Sequence, residues 1–256
     1  MVQGRSFLGI IPARSGSKGL PHKNIRDFLG KPLLAWTIEA AQGSGVLDEI
    51  FVSTDSEEYA AIARRYGASV PFLRPARLSG DDSPASEYLV QTIRAYEALG
   101  KLFDYFVLLQ PTSPLRTAEH IASGARTVVE EDLISAVAFS EFREDLRLVH
   151  PLPKDLNLSA LAQAPAAVSP SAAASALPND TLRQSAATLY RVNGLLYICR
   201  CAEYLETRSF YGARAKALLI DGKYAVDIDD ETDFLYAELL AKKERRFLSA
   251  DMRGKE

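Results

Sequence analysis

Short apolar runs alternate with amphipathic helical patterns through the first 140 residues, and few folds accommodate that alternation. FLGII (Phe7 to Ile11), EIFVS (Glu49 to Ser53), SVPFL (Ser69 to Leu73), YFVLLQ (Tyr105 to Gln110) and ISAVAF (Ile134 to Phe139) are rich in β-branched and aromatic residues, as strands buried on both faces are. Between them, PLLAWTIEAAQGSG opens on a proline and ends in glycines, while SEEYAAIARRYG has a serine cap and closes on Gly67. SPASEYLVQTIRAYEALG and TAEHIASGARTVVEE continue the scheme. The repetition predicts an α/β, Rossmann-like fold: a mostly parallel central sheet flanked by helices. Ligands of such sheets gather at the carboxyl ends of the strands, so the residues that follow each run are the first candidates for chemistry.

After Phe139 the pattern stops. LPKDLNLSALAQAPAAVSPSAAASALPND, within residues 141 to 190, is rich in Ala, Pro and Ser and weakly periodic. Two readings stay open for it: a flexible surface insertion, or an arm that orders against a second subunit. NGLLYICR, KALLI and YAVDI then restore strand-like runs ahead of a final helix from about Asp230 to Arg246. The expected organisation is a core over 1–140, an insertion over 141–192 and a return to the core over 193–256.

A net charge of -3 argues against a protein that coats nucleic acid, because that work needs a basic face. Cys199 and Cys201 are too few for a disulfide framework; two apart in an apolar run, they are expected to point the same way from a strand as buried thiols, in keeping with a reducing cytosol. The apolar run near the N-terminus is too short for a signal peptide or membrane span, and no later segment approaches twenty apolar residues, so the expected location is cytoplasmic, without a membrane partner. His22, His120 and His150 are scattered and read as solvated or packing residues; Trp36 reads as core.

Two motifs bear on chemistry directly. ARSGSKGLPHKN, immediately after the first strand, offers Gly16 and Gly19 for close backbone approach and Arg14, Lys18 and Lys23 as cations. Glycine amides and flanking cations suit a polyphosphate, although the spacing matches neither the P-loop nor G-x-G-x-x-G, and an ordinary surface turn has a similar composition. VDIDD sets Asp227 and Asp229 two residues apart; at a strand end both carboxylates project from one face and suit a divalent cation. The other reading is a solvated acidic turn that caps the last helix through Asp230 or Glu231.

Six stretches occur in order: IIPARSGSKGLPHKN, VSTD, RPARLSGDDSPAS, LLQPTSPLRT, RVNGLLYI and VDIDDETDF. Together they resemble the acylneuraminate cytidylyltransferase family, the CMP-sialic acid synthetases and their legionaminate and pseudaminate relatives, over nearly the whole chain. The resemblance implies a Rossmann-like nucleotidyltransferase with an inserted dimerisation arm, acting as a homodimer. It implies transfer of CMP from CTP to the anomeric hydroxyl of a nonulosonic acid with Mg2+, releasing pyrophosphate. Carried over residue by residue, it implies catalytic roles for Arg14, Lys18, Lys23 and Asp229, and nucleotide binding by Arg14, Lys18, Lys23, Asn24, Arg74 and Ser86. Sugar binding falls to Gln110, Arg183, Arg191, Tyr197, Phe210 and Tyr211, and metal binding to Asp227 and Asp229. The pattern departs from the family in three places. An extra residue after Gly80 is needed to align the family's serine with Ser86; Tyr211 stands where some relatives carry phenylalanine; and the basic residue before the insertion has only Arg147 as its nearest match.

Three rivals frame the reading. A cytidylyltransferase for a shorter ulosonic acid such as Kdo would tend to show a different loop after the opening strand. A nicotinamide dehydrogenase would need the missing G-x-G-x-x-G. A non-catalytic nucleotide-binding module would leave the acidic pair without a metal.

Overall fold

The computed structural model describes residues 1–16, 19–142 and 188–243. In chain order, β1 (Phe7–Pro12) leads through the two-residue strands β2 (Asp27–Phe28) and β3 (Lys31–Pro32) to α1 (Leu33–Gly43). There follow β4 (Glu49–Ser53), α2 (Glu57–Arg65), α3 (Ala85–Ala98), β5 (Tyr105–Leu108), α4 (Ala118–Glu130) and β6 (Ser135–Phe142). Past the undescribed residues come β7 (Leu189–Arg200), α5 (Cys201–Thr207), β8 (Ala215–Leu219) and α6 (Glu231–Lys243). The chain divides into one unit of Met1–Ser140 with Val192–Glu256 and a second of Glu141–Arg191. In the second, the Arg191 guanidinium lies 5.8 Å from the centre of the Phe142 ring. Lys18, Arg147, His150, Arg183 and nearly all of the expected insertion lie outside the described residues.

The sheet has the order β4-β1-β5-β7-β6-β8, with β1 parallel to both β4 and β5, and β6 parallel to β8. This is the mostly parallel α/β sheet that the alternation implies. β7 is the exception, since it lies antiparallel to β5 and separates it from β6. Successive strand residues serve opposite faces. Phe7, Ile11, Tyr105 and Val107 join α1, α2 and α4 in one core, while Leu8, Ile10, Phe106 and Leu108 join α3 and α5 in the other. From β1 the chain moves outward to β4, then returns past β1 to β5 and onward. The carboxyl ends of β1 and β5 thus flank a topological switch point, where such sheets open a crevice.

Local chemistry sets most element ends. The Ser56 side chain accepts from the Tyr59 N–H at the start of α2, and Thr117 with His120 forms a reciprocal capping box on α4. Three expectations are corrected. SVPFL is not a strand but a stretch with one parallel bridge, Ser69 to Phe51, because Pro71 has no N–H to continue a ladder. YAVDI (Tyr224 to Ile228) starts at the end of a 3-10 turn over Gly222–Tyr224, capped by Asp221, and is otherwise irregular chain, so the acidic pair does not end a strand. Cys199 lies on β7 but Cys201 opens α5, so the two buried thiols do not share a strand face.

A third apolar cluster lies beside the sheet: Leu20, Phe28 and Leu33 pack with Leu115, Val226, Ile228 and Phe234. Each large side chain so buried contributes roughly 1.5–3 kcal/mol. This packing draws the loop after β1 and the segment before α6 together. Arg26 and Glu231 reinforce it with a two-pronged ion pair, both contacts at 2.6 Å.

Candidate active site

A cavity of about 560 Å³ opens at the switch point. Pro12 at the end of β1 and Arg14, Gly19, Lys23 and Asn24 from the loop after it form one wall, Gln110, Pro111 and Thr112 after β5 another, and Asp229 closes the side nearest α6. Arg74, Leu78, Gly80, Asp81, Ser83, Ala85 and Tyr88 complete it.

The loop after β1 is held at several points. The Asp55 carboxylate, two residues beyond β4, accepts from both the N–H and the hydroxyl of Ser15 at 2.9 Å. The Asn24 amide donates to the Arg14 carbonyl at 3.1 Å, which folds the loop back on its own start. His22 takes a left-handed backbone conformation (φ 53°), and its Nδ1 lies 3.2 Å from the hydroxyl of Tyr59 on α2. Lys23 is 9% exposed; its ammonium donates to the Ile228 carbonyl and lies 3.4 Å from the Asp229 carboxylate. Gly19 is needed at this crossing, since a Cβ there would stand 2.6 Å from the Asp229 carbonyl oxygen. Arg14 pairs with Asp81 across the mouth at 2.8 Å.

At the inner end, Arg74 is 5% exposed and donates from Nε and Nη2 to the Ser53 hydroxyl and carbonyl, both at 2.9 Å. Its guanidinium lies 4.1 Å from the centre of the Tyr88 ring. Burial lowers the Arg74 pKa and pushes the Tyr88 phenol up to about 12, so this stack combines a cation with a neutral ring.

The acidic segment is shaped by α6. Asp230 accepts from the Asp233 N–H at 3.0 Å, and Asp233 accepts in return from the N–H groups of Asp229 and Asp230 at 2.9 and 3.2 Å. The Ile228 N–H donates to the Thr112 carbonyl at 2.9 Å, which ties the segment to the loop after β5. The Asp227 carboxyl titrates above the ordinary carboxylate range. Neighbouring protein raises it most, although the residue keeps access to solvent; a Thr112 hydrogen bond and Lys23 oppose this, and the charges of Asp229 and Asp233 add to it. Carboxylate oxygens are the donors that a hard divalent cation takes, although among the described residues no group of three or more His, Cys, Asp or Glu side chains is arranged to hold one.

Six of the sequence candidates therefore share one cavity: Arg14, Lys23, Asn24, Arg74, Gln110 and Asp229. Asp227 lies just behind its wall, where a Cβ on Gly194 would stand 3.5 Å from the Asp227 Oδ2. Ser86 is half-buried in the first turn of α3, and its neighbours Ser83 and Ala85 line the cavity instead. Tyr197 and Phe210 pack against each other, ring centres 5.1 Å apart, and the Tyr197 phenol is pushed up to about 12 by burial first, then by Tyr211 and Asp227. Tyr211 is 61% exposed. Arg191 belongs to the second unit, and Lys18 and Arg183 lie outside the described residues.

Sequence reasoning gave no role to four residues that shape the site. Asp55 was within reach, as an acid directly after a strand in VSTD, and Asp81 stood in a quoted motif. Tyr88 carries no signal beyond its helical spacing. Arg116 is 1% exposed and ties three elements together; its one signal is a charge set in the run LLQPTSPLRT.

Comparison with known proteins places this geometry. The cytidylyltransferase family matches residues 8–253. An N-acylneuraminate cytidylyltransferase of Escherichia coli O18:K1:H7 is 34% identical over 241 residues, covering 94% of this chain and 53% of that protein. A CMP-N,N'-diacetyllegionaminic acid synthase of Legionella pneumophila is 34% identical over 245 residues, covering 91% of this chain and 95% of that one. This chain thus spans about half the length of the first relative and nearly all of the second. In fold it is similar to a CMP:2-keto-3-deoxy-manno-octonic acid synthetase solved with CTP, with a TM-score of 0.65 at 16% identity over 93% of this chain and 99% of that one. Among the described residues, no helix is long and apolar enough to cross a membrane.

Proposed function

Since this chain belongs to the cytidylyltransferase family, in its acylneuraminate branch, we propose that it transfers CMP from CTP to the anomeric hydroxyl of a nonulosonic acid and releases pyrophosphate. The observation that carries this reading is the meeting of Lys23 with the Ile228–Asp229 segment at the wall of one cavity that also holds Arg14, Arg74 and Gln110.

Nucleotidyl transfer is mainly a matter of placement and charge. Arg14 and Lys23, joined by Lys18, hold the phosphates, and Arg14 exchanges Asp81 for phosphate oxygen as the nucleotide enters. Asn24 and Arg74 receive the cytosine; the Arg74 Nη1, which has no hydrogen-bond partner among the described residues, donates to its carbonyl. Ser86 is assigned to the same end. Gln110 binds the acceptor through its side-chain amide, with Tyr197, Phe210, Tyr211, Arg183 and Arg191 assigned to the rest of the sugar. The acceptor hydroxyl attacks the α-phosphorus, pyrophosphate leaves toward Arg14 and Lys23, and the hydroxyl proton departs toward the Asp227–Asp229 pair. Asp227 and Asp229 would hold Mg2+, which when bound supplies charge neutralisation at the α-phosphate and a lower pKa for an oxygen placed on it.

The test is pyrophosphate release from CTP and Mg2+ with N-acetylneuraminate, N,N'-diacetyllegionaminate and pseudaminate in parallel. Turnover with at least one, and none with Kdo, is expected. Release with Kdo alone, or with none of the acids, defeats the proposal.

A further inference from the structure

The Gln110 amide is placed from two sides. On the main-chain side, Arg116 donates from Nη2 to the Gln110 carbonyl at 2.6 Å, from Nε to the Leu195 carbonyl of β7 at 2.5 Å, and from Nη1 to the Thr37 hydroxyl of α1 at 3.1 Å. A buried cation is costly, and the fork of guanidinium donors is the feature that no smaller or flexible side chain reproduces. Its three bonds fix the loop after β5 relative to β7 and α1. On the side-chain side stands Gly194, whose φ of 72° in the middle of β7 suits glycine. A Cβ there would lie 2.5 Å from the Gln110 Oε1 and 3.5 Å from the Asp227 Oδ2. The first distance is a collision, the second an ordinary contact.

We infer that Arg116 and Gly194 are positioning residues for the acceptor: Arg116 fixes the Gln110 main chain, and the bare Cα of Gly194 leaves the space that the Gln110 amide occupies at the cavity wall. The inference rests on the reading of Gln110 as an acceptor-binding residue. It assigns acceptor recognition to a frame of three elements around one amide.

Steady-state kinetics of the full chain test it, using CTP, Mg2+ and whichever nonulosonic acid the panel identifies. Gly194→Ala should raise the acceptor KM by at least about tenfold, the scale of one displaced hydrogen bond to a bound polar ligand, and leave the CTP KM within about twofold. In a Gln110→Ala background the same change should alter the acceptor KM by less than about twofold, because the colliding atom is gone. Arg116→Lys keeps the charge but loses the fork, and should show the same split between acceptor and CTP. Independent, additive effects of Gly194→Ala and Gln110→Ala overturn the inference, as does an equal rise of both KM values in Arg116→Lys. An acceptor KM indifferent to Gln110→Ala alone overturns the underlying reading of Gln110, and the inference with it. Circular dichroism on each variant separates these outcomes from unfolding.

Discussion

If Asp227 serves the proposed reaction, its pKa links that service to a cost in stability. Its carboxyl titrates above the ordinary range, because burial and the charges of Asp229 and Asp233 outweigh the Thr112 hydrogen bond and Lys23. With the folded pKa above the unfolded one, the stability linked to its proton is complete below the unfolded pKa and is lost as pH rises through the folded pKa. Above that window the ligand-free chain carries an ionised carboxylate beside the charges of Asp229 and Asp233, although the residue keeps access to solvent. Asp227→Asn should therefore raise Tm without CTP or Mg2+ at about pH 7 and above, and the gain should fade below about pH 4, near the unfolded carboxylate pKa. The same variant should lower kcat by about a hundredfold or more, since removal of one preorganised charge at a transition state is of that size. Calorimetry across pH, paired with kinetics at saturating substrates, reads both. A lower Tm at neutral pH would show that the carboxylate is a stabilising partner instead. The identity of this residue was legible in VDIDD. Its setting was not, because a carboxylate's surroundings depend on Thr112 and Lys23, distant in sequence.

Elements were legible where periodicity and caps agree. Ser56, Thr117 and the glycine that follows α2 mark helix ends in the sequence as they do in the structure. β7 was legible as a strand but not in direction, since no local signal reports which neighbour a strand will pair with. The loop after β1 poses the same difficulty: its glycines and cations stand out, but the groups that give it a fixed shape come from β4, α2 and α6. Asp55 is the sharpest case, with two hydrogen bonds to Ser15 from the turn that follows β4. If those bonds preorganise the phosphate loop, Asp55→Ala should raise the CTP KM by about tenfold, as loss of charge-assisted bonds of roughly 1.5–3 kcal/mol suggests, while the acceptor KM stays near its starting value. Ser15→Ala keeps the backbone bond and should produce a smaller rise. A fall in Tm with an unchanged CTP KM would reduce Asp55 to a structural residue.

For the whole molecule, the decisive contact joins residues about two hundred positions apart: Leu20 and Phe28 meet Ile228 and Phe234, and Lys23 meets Asp229 in consequence. The β7 residues Leu189, Tyr190 and Val192 stand 37%, 49% and 36% exposed. Apolar residues left open on a strand are commonly a surface that a partner covers. We propose that the homodimer implied by the resemblance supplies such a partner, with Arg183 of one subunit serving its neighbour's acceptor. Complementation tests it more sharply than size alone. Arg183→Ala removes the arm cation assigned to the acceptor and Asp229→Ala removes a site carboxylate, so each homodimer should be nearly inactive. Coexpressed, the two chains pair at random, and half of the dimers are mixed. In each mixed dimer one site combines an intact Asp229 with an intact arm from the other chain, so about a quarter of wild-type activity should return. Sedimentation should show a dimer at the assay concentration, and specific activity should fall as dilution drives dissociation. A fully active monomer, or coexpressed chains no more active than the separate variants, would place each acceptor site within one subunit.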